Sequence, residues 1–377
     1  MAYRLDSRET LPDGLRRIVA EQLTEAEDGL RAARDDERDR AVHEARKATK
    51  KSRAVLRLVR DEIGSEAYTR ENDALRDAAR RLSGPRDAAV LVAAVDRLGH
   101  QTPLTRRSLA PLSAILEERR REIATRVLDD EDAMARAADE LAEIRARVDA
   151  LEIGSDRFSA LEDRLRRTYG RGRDAFAAAR KKPTDERLHD ARKRVKDLWY
   201  HARVLSPIWP GPMGELVDAC DRLGDLLGED HDLAVLADTV RDLAAEGTDG
   251  GAGETLLTLA ANRRAELRAE IWPLGERVYA DRPKAFVRRM RVLYRAWRAE
   301  TVWNISAASA AAVRELLEAR RNGSTDDKRR VREQLRRQGL RIGDVDARLP
   351  ERDGGLGASD FDALVEHGRV RIEEPQR

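Results

Sequence analysis

Residues 42–59 read VHEARKATKKSRAVLRLV, and residues 188–205 read LHDARKRVKDLWYHARVL. At helical spacing the first stretch sorts into two faces. His43, Arg46, Lys47, Lys50, Arg53 and Arg57 share one arc, and Val42, Ala45, Thr49, Val55, Leu56 and Val59 fill the other. Glu44 is the only acidic residue in the stretch and lies off the arc. In the second stretch His189, Arg192, Lys193, Lys196 and Arg203 share an arc in the same way, and the pairs His43/His189, Arg46/Arg192, Lys50/Lys196 and Arg57/Arg203 stand at one constant offset. One cationic helix face is ordinary; its return at fixed spacing points to a repeat.

Two further landmarks follow in the same order. LSGPRDAAVL at 82–91 matches LGEDHDLAVL at 227–236, and Arg119, Arg120 and Glu122 match Arg263, Arg264 and Glu266. Three ordered matches imply an internal duplication with halves of about 145 residues. The expected division is a first helical repeat over 1–153, a second over 154–303 and a small appended module over 304–377. Helices are expected over 11–34, from the basic stretch to Gly64, over 66–82, from Arg86 to Gly99 and through 103–151. The pattern then restarts over 158–180, with Thr184 or Asp185 capping the second basic helix. A helix near 215–227 is expected to stop at Gly228, with the next starting at Asp230–Asp232. Beyond 303, helices near 328–338 and 360–366 and a closing VRIEE strand are expected.

The composition agrees with an all-α chain. Of 377 residues 38% are charged and 4% aromatic, the profile of long amphipathic helices. The net charge of +2 gives no global sign of a polyanion partner, so the argument rests on where the charges sit. The single cysteine, Cys220, allows no internal disulfide and fits a reducing, cytoplasmic setting. MAYRLDSRET lacks the apolar core of a signal peptide, and the longest uncharged run, Thr301–Val313, is shorter than the ~20 residues of a membrane span.

A face of arginines and lysines without interleaved carboxylates repels itself, whereas solvated helix faces usually pair Glu with Lys one turn apart. Multivalent phosphate suits it: guanidinium forks match phosphate oxygens, ammonium groups add point charge, and histidine gains charge near neutral pH. Protonation of His43 and His189 is expected to tighten such binding as pH falls from 8 to 6. Arg119, Arg120, Arg263 and Arg264 are candidate additional phosphate contacts.

The segments HEARKATKK and HDARKRVKDLWY, each followed by its downstream landmark, resemble the CHAD family, the conserved histidine α-helical domain, over roughly residues 8–300. The resemblance implies two pseudo-twofold-related four-helix bundles around a basic groove or pore that binds inorganic polyphosphate, often at polyphosphate granules. His43, Arg46 and Lys50, with His189, Arg192 and Lys196, match the family's histidine, arginine and lysine positions. Tyr200 matches an aromatic frequent in the family, where the first copy has Ala54. A further position, often basic in the family, is Arg53 in one copy and Trp199 in the other. No Glu-x-Glu-x-Lys string of the triphosphate-hydrolysing domain occurs, so a binding protein without enzymatic activity is expected.

Three other readings compete. His231–Asp232 is the kind of pair that metal phosphohydrolases use. The repeat, however, sets Arg86 opposite His231, and arginine does not ligate metal; His201 lies 120° from His189 around the helix. No metal and no cofactor are expected. RNA binding is the main alternative, but only Trp199 and Tyr200 supply rings near the arcs. Trp272, Trp297 and Trp303 read as core rather than as anchors for a protein partner, and His100 and His367 as exposed singletons.

Overall fold

The structure, a computed structural model, describes residues 3–34, 37–82, 85–100, 103–128, 131–155, 157–247, 252–300, 303–322, 324–338, 340, 345, 358–366 and 370–373. His367 and the side chains of Arg86, Asp87 and Trp303 lie outside the described residues.

Among the described residues the chain is all-α apart from two short strands. Helix α1 (Leu11–Ala32) starts where Thr10 accepts the amide of Asp13, and it buries Leu11, Leu15, Ile18, Val19 and Leu23 along one stripe. Helix α2 (Arg38–Leu58) is the first basic helix, with Ala45, Ala48, Thr49, Val55 and Leu56 inward. A short turn of helix, α3 (Arg60–Ile63), ends at Gly64, whose φ of 83° lies in the region open to glycine. Helix α4 (Ser65–Arg81) and α7 (Glu131–Asp149) pack with α1 and α2 as a four-helix set. Between them α5 (Pro85–Gly99) and α6 (Pro103–Leu128) form a hairpin that leans on the second half.

The second half runs α8 (Ser159–Lys181), α9 (Asp185–Val204), α10 (Pro210–Ala245), α11 (Gly253–Val278) and α12 (Pro283–Glu300). The second basic helix, α9, is capped by Thr184 through the amide of Arg187 and lies between α8 and α10; α10 packs on α11, and α12 on α8. One continuous hydrophobic cluster runs through both halves, from Leu5 to Tyr294. A separate cluster holds Ile305, Val313, Leu317, Leu335, Phe361 and Val370. Around it lie α13 (Ala307–Asn322), α14 (Thr325–Arg337), α15 (Ala358–Glu366) and the parallel strands β1 (Trp303–Ser306) and β2 (Val370–Glu373). The capping box of Ser324 and Asp327 starts α14.

One expectation needs correction: α10 passes through Gly228 without a break. Gly228 serves close approach instead of a stop, because a Cβ there would sit 3.1 Å from the Arg192 guanidinium, and one at Gly224 would sit 2.6 Å from Lys196 Cε. His231 therefore lies in mid-helix, not near a first turn.

Candidate functional site

The two basic helices meet at their carboxyl-terminal turns. Arg57 on α2 pairs with Asp197 on α9, and His201 Nε2 donates to the Ala54 carbonyl at 2.9 Å. A strap from the amino terminus crosses the joint. The Tyr3 hydroxyl donates to Lys51 O at 2.9 Å, and the Leu5 amide donates to Val204 O at 3.0 Å. Lys51 and Arg203 stand 5.6 and 5.2 Å from the centre of the Tyr3 ring, and Tyr200 meets that ring edge-on. So Arg57, Arg203 and Tyr200 of the expected set come together here, with Tyr3 and Lys51 as members that helical periodicity did not select.

Along the rest of α2 two arginines rest on neutral oxygens and two other groups face one carboxylate. Arg46 donates to the carbonyl of Leu82 at 3.1 Å, and Arg53 to the side-chain oxygen of Asn72 at 3.0 Å. Lys47 reaches Glu44 at 3.2 Å, His43 lies 3.9 Å from the same carboxylate, and Lys50 is exposed. Burial, followed by the neighbouring Arg57, lowers the pKa of Arg53. Burial also works against charged Arg57, but Asp197 and Tyr68 outweigh it and raise that pKa.

On α9 the same positions face carboxylates. Lys196 Nζ lies 3.0 Å from Asp221 and 2.9 Å from Asp225, Arg192 lies 3.9 Å from Asp232, and Lys193 lies 3.6 Å from Asp190. Trp199 gives its ring to Lys196 at 4.5 Å and to Arg203 at 4.8 Å. His189 stacks against His231 with ring centres 4.2 Å apart, and its buried Nδ1 finds no hydrogen-bond partner among the described residues. Burial, then the opposing histidine and the cations Lys193 and Arg192, lowers the pKa of His189; burial and Arg192 lower that of His231. The contribution expected from His189 between pH 8 and 6 therefore moves to lower pH. His201, fully buried at the joint, is pushed down to about 4 by burial and is neutral there.

The four additional arginines are engaged elsewhere. Arg263 holds Glu229 and Glu266 at 2.8 and 2.9 Å, Arg264 holds Asp230 and Asp185, Arg120 holds Glu117 at 2.8 Å and Arg119 lies 3.5 Å from Glu246. Each of the four thus has a carboxylate partner within the protein. Asp230 is fully buried between Arg264 and Arg268, while Asp232 faces Arg192, so the EDHD segment disperses its ligand-capable groups. Among the described residues no three His, Cys, Asp or Glu side chains gather as a metal would need, and no helix is long and apolar enough to cross a membrane. Trp272 packs on Phe176 and Trp297 on Tyr294, while His100 is exposed.

The CHAD domain family model matches residues 17–241, well over half of the chain and both basic helices. The chain belongs to the CHAD family. Among solved structures it is similar to the crystal structure of the CHAD domain from the plant Ricinus communis, with a TM-score of 0.53 and 18% identity, over 73% of this chain and 95% of that one. At that identity the likeness concerns the fold. No curated protein matches the chain. The CHAD match ends inside α10, before α11, α12 and the carboxyl-terminal module.

Sequence periodicity missed Asn72, Asp221 and Asp225, the groups that decide how much charge each arc presents. DRLGDLLGED held a usable signal: read as unbroken helix, it places Asp221 and Asp225 one turn apart, beside the gaps left by Gly224 and Gly228.

Proposed function

We propose that this CHAD protein binds inorganic polyphosphate without transforming it, in a groove between two duplicated halves lined by the cationic faces of α2 and α9. The observation that carries the reading is the α2 face, where Arg46 and Arg53 rest on a carbonyl and an amide oxygen instead of carboxylates. Their charge remains available to a ligand of repeated negative charge. Family membership supports the choice of polyphosphate, and association with polyphosphate granules in the cytoplasm follows from it. RNA is less well supported, since Tyr3 and Trp199 are already packed against Lys51, Lys196 and Arg203, and Tyr200 against those two rings, so they offer bases no free platform.

The test is a titration of the purified protein with long-chain polyphosphate and single-stranded RNA at equal phosphate concentration and two salt concentrations. Polyphosphate is expected to bind more tightly, with affinity falling steeply with salt. Displacement of polyphosphate by equimolar RNA phosphate would transfer the site to nucleic acid.

A further inference from the structure

The two cationic faces are not equally open. Lys196 lies against α10 because Gly224 has no side chain, and its ammonium sits between Asp221 and Asp225 with the Trp199 ring on another side. One cation between two carboxylates carries a local balance of minus one. Asp218 and Glu229 line the same recess of α10 together with Arg222; Arg222 is held by Glu270 and Glu229 by Arg263, which leaves Asp218 to add to the negative balance. The Arg192 and Lys193 heads each have an aspartate within 4 Å as well, at 3.9 and 3.6 Å.

We propose that Asp221 and Asp225 are affinity-setting residues of the site: they act as an internal counter-anion that holds the α9 face in reserve. This rests on the polyphosphate reading and adds which part of the site engages first. A single phosphate approaching Lys196 must displace two carboxylates and then remain beside them. A polymer already held on α2 reaches Lys196 at high effective concentration and with many charges, so it engages α9 where a small phosphate does not. Asp221 and Asp225 are 45% and 74% exposed, so each ion pair alone is weak; the selectivity comes from like charge left beside the ligand.

The experiment is a double-mutant cycle on the full-length protein with long-chain polyphosphate as ligand. Asp221→Asn/Asp225→Asn is expected to tighten binding about tenfold and to steepen the salt dependence by about one released counterion, since Lys196 becomes available. Lys196→Ala should cost about twofold in the natural background and about tenfold in the double-asparagine background, because only there does the lysine meet the polymer without two carboxylates competing for it. Asp238→Asn, on the same helix but paired with Arg241, controls for a general change of charge and should leave affinity unchanged. Equal costs of Lys196→Ala in both backgrounds, or a gain from Asp238→Asn as large as that from the double variant, would overturn the proposal and leave polyphosphate binding standing. Failure of the natural protein to bind any polyphosphate would remove the underlying function and this inference with it.

Discussion

Helices α2 and α9 carry matching charges at matching positions but stand in different company. On α2, Arg46 and Arg53 lean on Leu82 O and Asn72, while on α9 the counterpart of Arg46, Arg192, faces Asp232 and Lys196 is held by Asp221 and Asp225. The segment after each basic helix differs too. In the first half α4 ends at Arg81 and a new helix, α5, starts at Pro85, which lacks an amide hydrogen. In the second half the aligned position is Asp230, fully buried and gripped by Arg264 and Arg268, and α10 runs straight through. The difference teaches that a repeated motif fixes where cations stand, whereas the neighbouring helix decides how much of their charge is left to use.

The comparison can be broken most directly by alanine pairs. Arg46→Ala/Lys50→Ala is expected to weaken polyphosphate binding about 100-fold, and Arg192→Ala/Lys196→Ala less than about tenfold, with unchanged helix content by circular dichroism. Equal losses would mean that the carboxylates on α10 do not matter. A second test addresses what keeps α10 whole. Asp230→Asn removes the buried negative charge that two partly buried arginines share and turns an amide donor toward one of them, and is expected to lower unfolding stability by about 2 kcal/mol in denaturant titration. The third and smallest effect concerns pH. Because His189 and His231 both titrate below the ordinary histidine value, their protonation adds positive charge, and so tightens polyanion binding, only as pH falls below about 6.5. The part of the affinity that depends on His189, read as the difference between the natural protein and His189→Gln, is expected to stay flat from pH 8 to that point and then to rise about threefold. A rise complete by pH 7 would assign the effect to another group.

Much of the fold could be read before any coordinates, because amphipathic spacing is a property of one helix at a time. The extents of α1, α8 and α9 follow from it, and capping chemistry adds Thr184 and the Gly64 and Gly99 boundaries, whereas the basic helix expected to run to Gly64 ends at Leu58 and a separate turn, α3, reaches the glycine. Gly228 misled because glycine has two uses: it ends helices by adopting positive φ, and it lets another chain come close. Only the position of Arg192 tells which applies. The candidate site was legible as a list of cations but not as a field. Arg263 and Arg264 look like Arg46 in sequence, yet they are answered by Glu229 and Asp230 from a different helix, whereas Arg46 rests on a carbonyl. No periodicity within one element reports a partner on another.

The joint between the halves has a consequence for how the molecule melts. Arg57–Asp197, His201 on the Ala54 carbonyl, and the Tyr3–Leu5 strap fasten α2 to α9 at one end of each helix, while their other ends answer to separate neighbours, Leu82 for Arg46 and His231 for His189. A long ligand lying across both helices would add a second fastening away from the first. Two bundles that could loosen one after the other would then be expected to come apart together, in a single sharper transition.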